Sequence, residues 1–313
     1  MRHLHLVPLN PRIGFMRIHK PAIAISVLLV VASFVLYFAK GLNYGVDFTG
    51  GALIEVRTEG PADVATMRAQ LGALDLGEVT LQTFGAEDTV LIRVQADTDS
   101  EGGQAAVTAM VQNALGADVE LRRVEFVGPK VGGELQEAAI WAVIIALAGI
   151  MVYVWFRFEW QFGVAGVAAL AHDVITTVGL FAFLDLEFNL TTVAAVLTIA
   201  GISINDTVVI FDRMRENLRK YKKTPLSELI DLSVNQTLSR TVMTTLTTLV
   251  ALLALFLVGG PVVRDFSGAM IWGMVVGTYS SVFVAGPMLI YLKLKRDDDS
   301  AEQERAAEAA PAS

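Results

Sequence analysis

The sequence contains no cysteine, which excludes disulfides and thiolate metal sites alike. Histidine is nearly as scarce. Three of the four stand at His3, His5 and His19, and only His172 lies further along. No HExxH or comparable ligand spacing is present, so no metal site and no cofactor are expected. No nucleophile–base set appears either, and the chain is not expected to be an enzyme. Charged residues make up only 18% of the sequence, with a net charge of −8. No nucleic-acid partner is expected.

Apolar residues fill the space that charge leaves. They form 54% of 313 residues, more than one soluble domain needs. A spanning helix takes about 20 largely apolar residues, and six stretches meet or approach that length: Pro21 to Ala39, Ala138 to Phe156, Phe162 to Leu184, Leu190 to Phe211, Val242 to Val258 and Phe266 to Leu292. The expected fold is therefore a polytopic α-helical membrane protein with six transmembrane helices. The first span looks like an uncleaved signal anchor, because glycines and an acid follow it rather than a small-residue cleavage site.

Lys and Arg set the expected orientation. They cluster before the first span (Arg2, Arg12, Arg17, Lys20), between spans four and five (Arg213, Arg215, Arg219, Lys220, Lys222, Lys223, Arg240) and after span six (Lys293, Lys295, Arg296). The positive-inside rule places those segments, and both termini, in the cytoplasm. Residues 1–40 then hold a cytoplasmic N-terminus and the first span, and residues 41–137 an acidic extracytoplasmic domain. Residues 138–292 hold the remaining spans with a basic cytoplasmic loop at 212–240. The tail, 293–313, rich in Ala and Glu, reads as disordered.

Within 41–137 the pattern is strand (Ala52–Thr58), helix after Pro61, strands Val79–Phe84 and Thr89–Ala96, helix Gly103–Leu115, and strand Val119–Val127. The order β-α-β-β-α-β predicts a ferredoxin-like α+β domain between helices 1 and 2, an antiparallel sheet with two helices on one face. Its lack of a catalytic constellation favours a binding or lever module. The Gly-Pro-rich segment Val127 to Leu135 reads either as a hinge or as a plain connector.

Two places inside the apolar runs carry acids. His172-Asp173 stands near the middle of span three, with Thr176 and Thr177 one turn on. Two readings stay open: an interhelical polar contact, or a relay that supports a second acid. That second acid is Asp206 in span four, beside Ser203 and Asn205. A carboxylate in hydrocarbon needs a partner, water or a task. Asp206 lies roughly 8 Å from the end of its apolar run, so it could also snorkel to the interface with Arg213. Otherwise it is a protonation switch with Arg240, at the entrance to span five, as counter-charge. Thr241 and Thr244 lie on the same helical face as Thr237 and Thr248, beside Arg240, and either pack there or line a hydrated path. Gly268, Gly273, Gly277, Ser280, Ser281 and Gly286 give span six a small-residue face for close packing.

Four motifs stand in order around the spans: Gly45-Val-Asp-Phe-Thr-Gly-Gly51, Val127-Gly-Pro129, Ser203-Ile-Asn-Asp-Thr-Val-Val-Ile-Phe-Asp-Arg213 and Ser233-Val-Asn-Gln-Thr-Leu-Ser-Arg-Thr241. On these residues the chain, from 15 to 293, resembles the SecD/SecF family of protein-export membrane proteins in the RND superfamily, on its SecF side. The resemblance implies a bacterial inner-membrane protein that works with a separate SecD chain beside the SecYEG translocon and uses the proton-motive force to help draw unfolded preproteins outward. By motif position, the family's proton-conducting Asp falls on Asp206 and its Arg on Arg240. Sodium in place of the proton stays open. So do two rivals, a lipid or small-molecule exporter of RND type and a passive translocon scaffold.

Overall fold

The computed structural model describes residues 11–74, 76–77, 79–95, 101–116, 119–292 and 294. Apart from Leu294, the tail expected to be disordered lies outside the described residues. After a 3-10 turn (Phe15–Ile18), α1 (His19–Lys40) runs apolar on all sides until Gly41, whose positive φ of 78° ends it. The short β1 (Asn43–Tyr44) and α2 (Val46–Thr49) lead to the sheet domain, whose elements are β2 (Gly51–Thr58), α3 (Val64–Gly72), β3 (Val79–Phe84), β4 (Ala86–Val94), α4 (Glu101–Leu115) and β5 (Val119–Val127). The helix expected after Pro61 begins three residues later, because the Asp63 side chain caps it through the amides of Ala65 and Thr66. The turn expected at residues 85–88 shrinks to Gly85, whose φ of 77° lets β4 start at once.

The sheet order is β3-β4-β2-β5, antiparallel throughout, with a register irregularity at Glu55/Val56. This is the ferredoxin-like arrangement that the sequence predicts. Alternation sends Ala52, Ile54, Val56, Val90, Ile92 and Val94 into a core closed by Met67 and Leu71 of α3 and by Val107 and Val111 of α4. Leu53, Leu91 and Arg93 alternate onto the other, helix-free face. That face looks toward the membrane helices, since Arg93 reaches a loop between two of them.

Among the described residues, six helices are long and apolar enough to cross a membrane. They are α1, α5 (Pro129–Arg157), α6 (Trp160–Leu184), α7 (Leu190–Lys220), α8 (Leu226–Val258) and a last span. The last span comprises α9 (Pro261–Ser280), a π turn (Ser281–Ala285) and α10 (Gly286–Tyr291). Two expected boundaries move. Residues 129–137, assigned from the sequence to the outer domain, are the first turns of α5, with Pro129 at its start and Gly132 packed against Phe48 and Gly50. The expected loop at 212–240 is mostly helix. Both α7 and α8 run on beyond their apolar windows, and the connection shortens to residues 221–225. Asn217 on α7 donates to Ser233 and Gln236 on α8 at 2.9 and 2.8 Å and pins the pair.

α6, α7 and α9 make the centre of the bundle. Half or more of each of those apolar windows is buried, against 6–17% for α1, α5 and α8. Close approach between them follows from glycine. A Cβ at Gly273 would meet Ile199 on α7 at 2.4 Å, and one at Gly179 would meet Ser33 on α1 at 2.1 Å. One apolar cluster, including Phe181, Ile199, Leu252 and Met270, lies at the domain end of the bundle. A second, around Phe158, Phe162, Phe211 and Leu289, lies at the opposite end. Between them, at the middle of α6, α7 and α9, the buried residues turn polar.

Candidate functional site

Asp173 is the centre of that polar layer. It is fully buried, and hydroxyls from two other helices converge on its Oδ2: Ser203 of α7 donates at 2.5 Å and Ser280 of α9 at 2.7 Å. Its Oδ1 lies 3.0 Å from Nδ1 of His172. Thr176 and Thr177 donate back to carbonyls of their own helix, so they serve α6 rather than the acid. The layer extends sideways. Thr207 and Ser281 meet at 2.8 Å, and Ser26 of α1 donates to the Tyr279 hydroxyl, which itself donates to the Ala22 carbonyl at 2.6 Å.

The last span supplies its part through local backbone geometry. Ser280 ends the α-helical stretch and Ser281 opens the π turn, a widening that often marks functional sites. The consecutive serines thereby reach two different helices, Ser280 meeting α6 and Ser281 meeting α7. Gly277 makes the room: a Cβ there would lie 3.1 Å from Ser203 and 3.6 Å from Asp173 Oδ2.

Asp206 stands one turn beyond Ser203 on α7. It is 8% exposed, and among the described residues no hydrogen bond reaches its carboxylate. Arg240 on α8 is close enough for its charge to act on Asp206. The two nevertheless form no ion pair within 4.0 Å. Arg240 is exposed on the sparsely covered flank that α8 presents. The alternative in which Asp206 snorkels with Arg213 loses its partner, because Arg213 donates to Gln236 and Glu216 instead.

The structure thus joins His172, Asp173 and Ser203 in one network and leaves the other expected members outside it. Asn205 is exposed and points to no partner among the described residues. Thr241 is buried without a bond from its hydroxyl, and Thr244 donates to the carbonyls of Arg240 and Thr241 on its own helix. Sequence reasoning had placed Ser280 and Ser281 on a packing face and had passed over Thr207, Tyr279 and Ser26. A serine reads as a small residue until the acid opposite it is known.

A second polar junction ties the sheet domain to the bundle. β1 pairs in parallel with β6 (Glu187–Phe188), in the connection between α6 and α7. Arg93 on β4 pairs with Glu187 at 2.9 Å, both side chains being 15% exposed, and donates to Asn43 at 2.8 Å. Burial pushes the Glu187 carboxyl above the usual range; Arg93 opposes that shift, and Asp47 and Asp265 add to it. Asp47 accepts from the Leu190 amide at 3.0 Å, so the segment after α1 caps the N-terminus of α7. Gly45 is needed there, since a Cβ would lie 2.5 Å from the Glu187 carboxylate. A cavity of about 260 Å³ between domain and bundle is lined by Asp47, Glu55, Arg123, Glu187 and Asp265, among others. No cluster of three metal-ligating side chains occurs among the described residues.

Residues 106–295 match the family described as protein export membrane protein SecD/SecF, C-terminal, and residues 38–62 match the SecD/SecF GG motif. The chain is 44% identical to the protein translocase subunit SecF of Rickettsia bellii (strain OSU 85-389) over 94% of its own length and 97% of that protein. It is 46% identical to the SecF of Rhodobacter capsulatus, over 95% and 93% respectively. Among solved structures it resembles SecDF from Thermus thermophilus, a translocon-associated membrane protein, with a TM-score of 0.85 and 39% identity over 93% of the chain. The chain spans about two-fifths (40%) of that longer SecDF chain. With six apolar helices, the ferredoxin-like sheet domain and all four motifs in place, the chain belongs to the SecD/SecF family of protein-export membrane proteins and is matched along nearly its whole length by that family's SecF translocase subunits.

Proposed function

We propose that this chain works with SecD in the bacterial inner membrane, with both termini in the cytoplasm. Beside SecYEG, the pair would use the proton-motive force to promote late steps of preprotein translocation. Asp206 takes up and releases the proton, and Arg240 is the movable counter-charge. The observation that carries this reading is Asp206 itself: a withdrawn carboxylate that no hydrogen bond satisfies, with one guanidinium nearby and unpaired to it. Burial favours a neutral carboxyl and an approaching guanidinium favours its anion, so relative movement of α7 and α8 loads and unloads a proton.

The junction at Asp47, Glu187 and Arg93 supports the mechanical half of the reading. α7 carries Asp206 at its middle and is gripped at its N-terminus by the segment that leads into the sheet domain. A shift of α7 is therefore felt by the domain through rigid contacts. The domain's exposed sheet edge and acidic cavity would face the emerging, unfolded preprotein. No catalytic step is assigned to any residue.

The test is export of a preprotein into membrane vesicles with and without an imposed proton gradient, at matched protein levels. Asp206→Asn keeps the shape and removes the titration. It should abolish the gradient-stimulated part of export while leaving assembly with SecD intact. Wild-type stimulation in that variant would sink the proton reading and leave a passive scaffold. Stimulation by a sodium gradient in its place would reassign the ion, and failure to co-purify with SecYEG would favour an exporter of RND type.

A further inference from the structure

The proton reading concerns Asp206, yet the better-built acid site of the bundle is Asp173. On the basis of that reading, we infer that Asp173 and His172 form a second proton-holding site inside the bundle, with Ser203 of α7, one turn from Asp206, as one of its hydroxyl donors.

Three observations carry it. Asp173 is completely withdrawn from solvent and accepts two hydroxyl donors on one oxygen, from α7 and α9. Among the described residues no Lys or Arg pairs with it. α6 offers His172, α9 offers Tyr279 with its hydroxyl committed to Ala22, α1 offers only Ser26 and Ser33, and α7 offers Ser203 with Asp206 a turn away. A lone carboxylate in such a place is costly unless a proton or a cation joins it. The second observation is His172 Nε2, which is buried and has no hydrogen-bond partner. When Nδ1–H donates to Asp173, that nitrogen keeps a bare lone pair, an acceptor for a proton. Third, Ser280 sits where α9 passes into the π turn, and Gly277 leaves space beside Oδ2. One of the two donors that can turn when Oδ2 gains a proton therefore sits at the junction between α9 and the π turn.

The protonation balances at the site itself: a proton added to Asp173 Oδ2 neutralises the carboxylate, and one of the two serine hydroxyls that donate there turns away. With Nδ1–H committed to Asp173 Oδ1, His172 can take a proton only on Nε2, leaving imidazolium beside carboxylate.

Infrared difference spectra test this on the purified full-length chain in lipid discs, recorded between neutral and acidic pH. The wild type should show a protonated-carboxyl band that grows as pH falls, is absent from Asp173→Asn and persists in Asp206→Asn. Ser280→Ala should move its frequency, since one hydrogen bond to the carboxyl is lost. A band unchanged in Asp173→Asn, or one that ignores pH, overturns the assignment. Should Asp173→Asn fail to fold, His172→Gln serves instead. It should shift the midpoint of the band by about tenfold or more in proton concentration, and an unshifted midpoint overturns the proposal. The spectra require neither SecD nor a translocon. A flat spectrum alongside gradient-driven export that depends on Asp206 would remove Asp173 as a proton site and leave the Asp206 reading standing.

Discussion

Ser280, the last residue of α9, donates to Asp173 Oδ2 at 2.7 Å, and Ser203 donates to the same oxygen from α7. Three helices thus meet at one atom. Removing either hydroxyl leaves the fully buried acid short of a donor. Ser280→Ala should cost about 1–3 kcal/mol of stability, and so should Ser203→Ala. Because both act on one oxygen, the double variant should depart from the sum of the singles. Thermal unfolding of the purified protein in lipid discs measures this, and strict additivity would show that the two serines do not share a carboxylate.

The Arg93–Glu187 pair gives a pH dependence with a definite sign. Burial holds the Glu187 carboxyl above its ordinary range despite Arg93, so the folded protein favours the protonated acid. Its contribution to stability is therefore greatest at low pH and is lost as pH rises through the raised value. Glu187→Gln should melt at or above the wild-type temperature at neutral pH, with the difference closing under mild acid. Arg93→Met removes the opposing charge. It should lose about 1–3 kcal/mol at neutral pH, with a deficit that shrinks as pH falls. Parallel melting curves across that range would remove Glu187 from the account.

The sheet domain should fold by itself. Its core, from Ala52 and Ile54 through Met67, Leu71 and Ile92 to Val107 and Val111, is made entirely of its own residues. A fragment of residues 41–128 should give a cooperative thermal transition and a mixed α/β circular-dichroism spectrum. It stops short of Pro129 because α5 begins there. A non-cooperative, coil-like fragment would show that the bundle is needed to complete the domain.

The sequence was most informative where periodicity is strong. Strands Val79–Phe84 and Val119–Val127 and the order of the domain follow from alternation, and three of the six apolar runs coincide with their spans to within a few residues. It was least informative where membrane helices leave the apolar region. The amphipathic pattern past Phe211 and before Thr241 looks like a polar loop, yet Asn217 and Ser233 lock it as helix. Asp206 and Arg240 could be picked out singly, because charge in an apolar run is conspicuous. Their separation beyond ion-pair reach could not, since it depends on how α7 and α8 pack. The convergence of Ser203 and Ser280 on Asp173 could not be read for a related reason, as only the third dimension brings residues 173, 203 and 280 together.

Orientation is tested by chemical labelling. The proposed orientation rests on the Lys/Arg asymmetry around the spans, which would put the sheet domain outside the cytoplasm and the α7–α8 connection within it. A single cysteine at Arg68, exposed on α3, should react with an impermeant reagent in intact cells. One at Lys223 should react only after the membrane is opened. With no native cysteine in the chain, the background is clean. Labelling of position 223 from outside would invert the topology.

Arg240 offers the sharpest separation of transduction from scaffolding. It is exposed on α8, makes no ion pair within 4.0 Å and yet acts electrostatically on Asp206. If it only anchored α8 at the membrane surface, any long side chain able to reach the interface would serve, and Arg240→Lys would behave as wild type. If it is the charge that discharges Asp206, Arg240→Met should leave the acid protonated and remove gradient-stimulated export about as completely as Asp206→Asn. Arg240→Lys should then fall between the two, because an ammonium carries the charge without the planar, weakly hydrated fork. The double variant Asp206→Asn with Arg240→Met should be no worse than either single, as expected when two residues perform one step. Export into vesicles with and without a proton gradient measures all four proteins. Additive losses in the double variant would separate Arg240 from Asp206 and return it to the membrane surface.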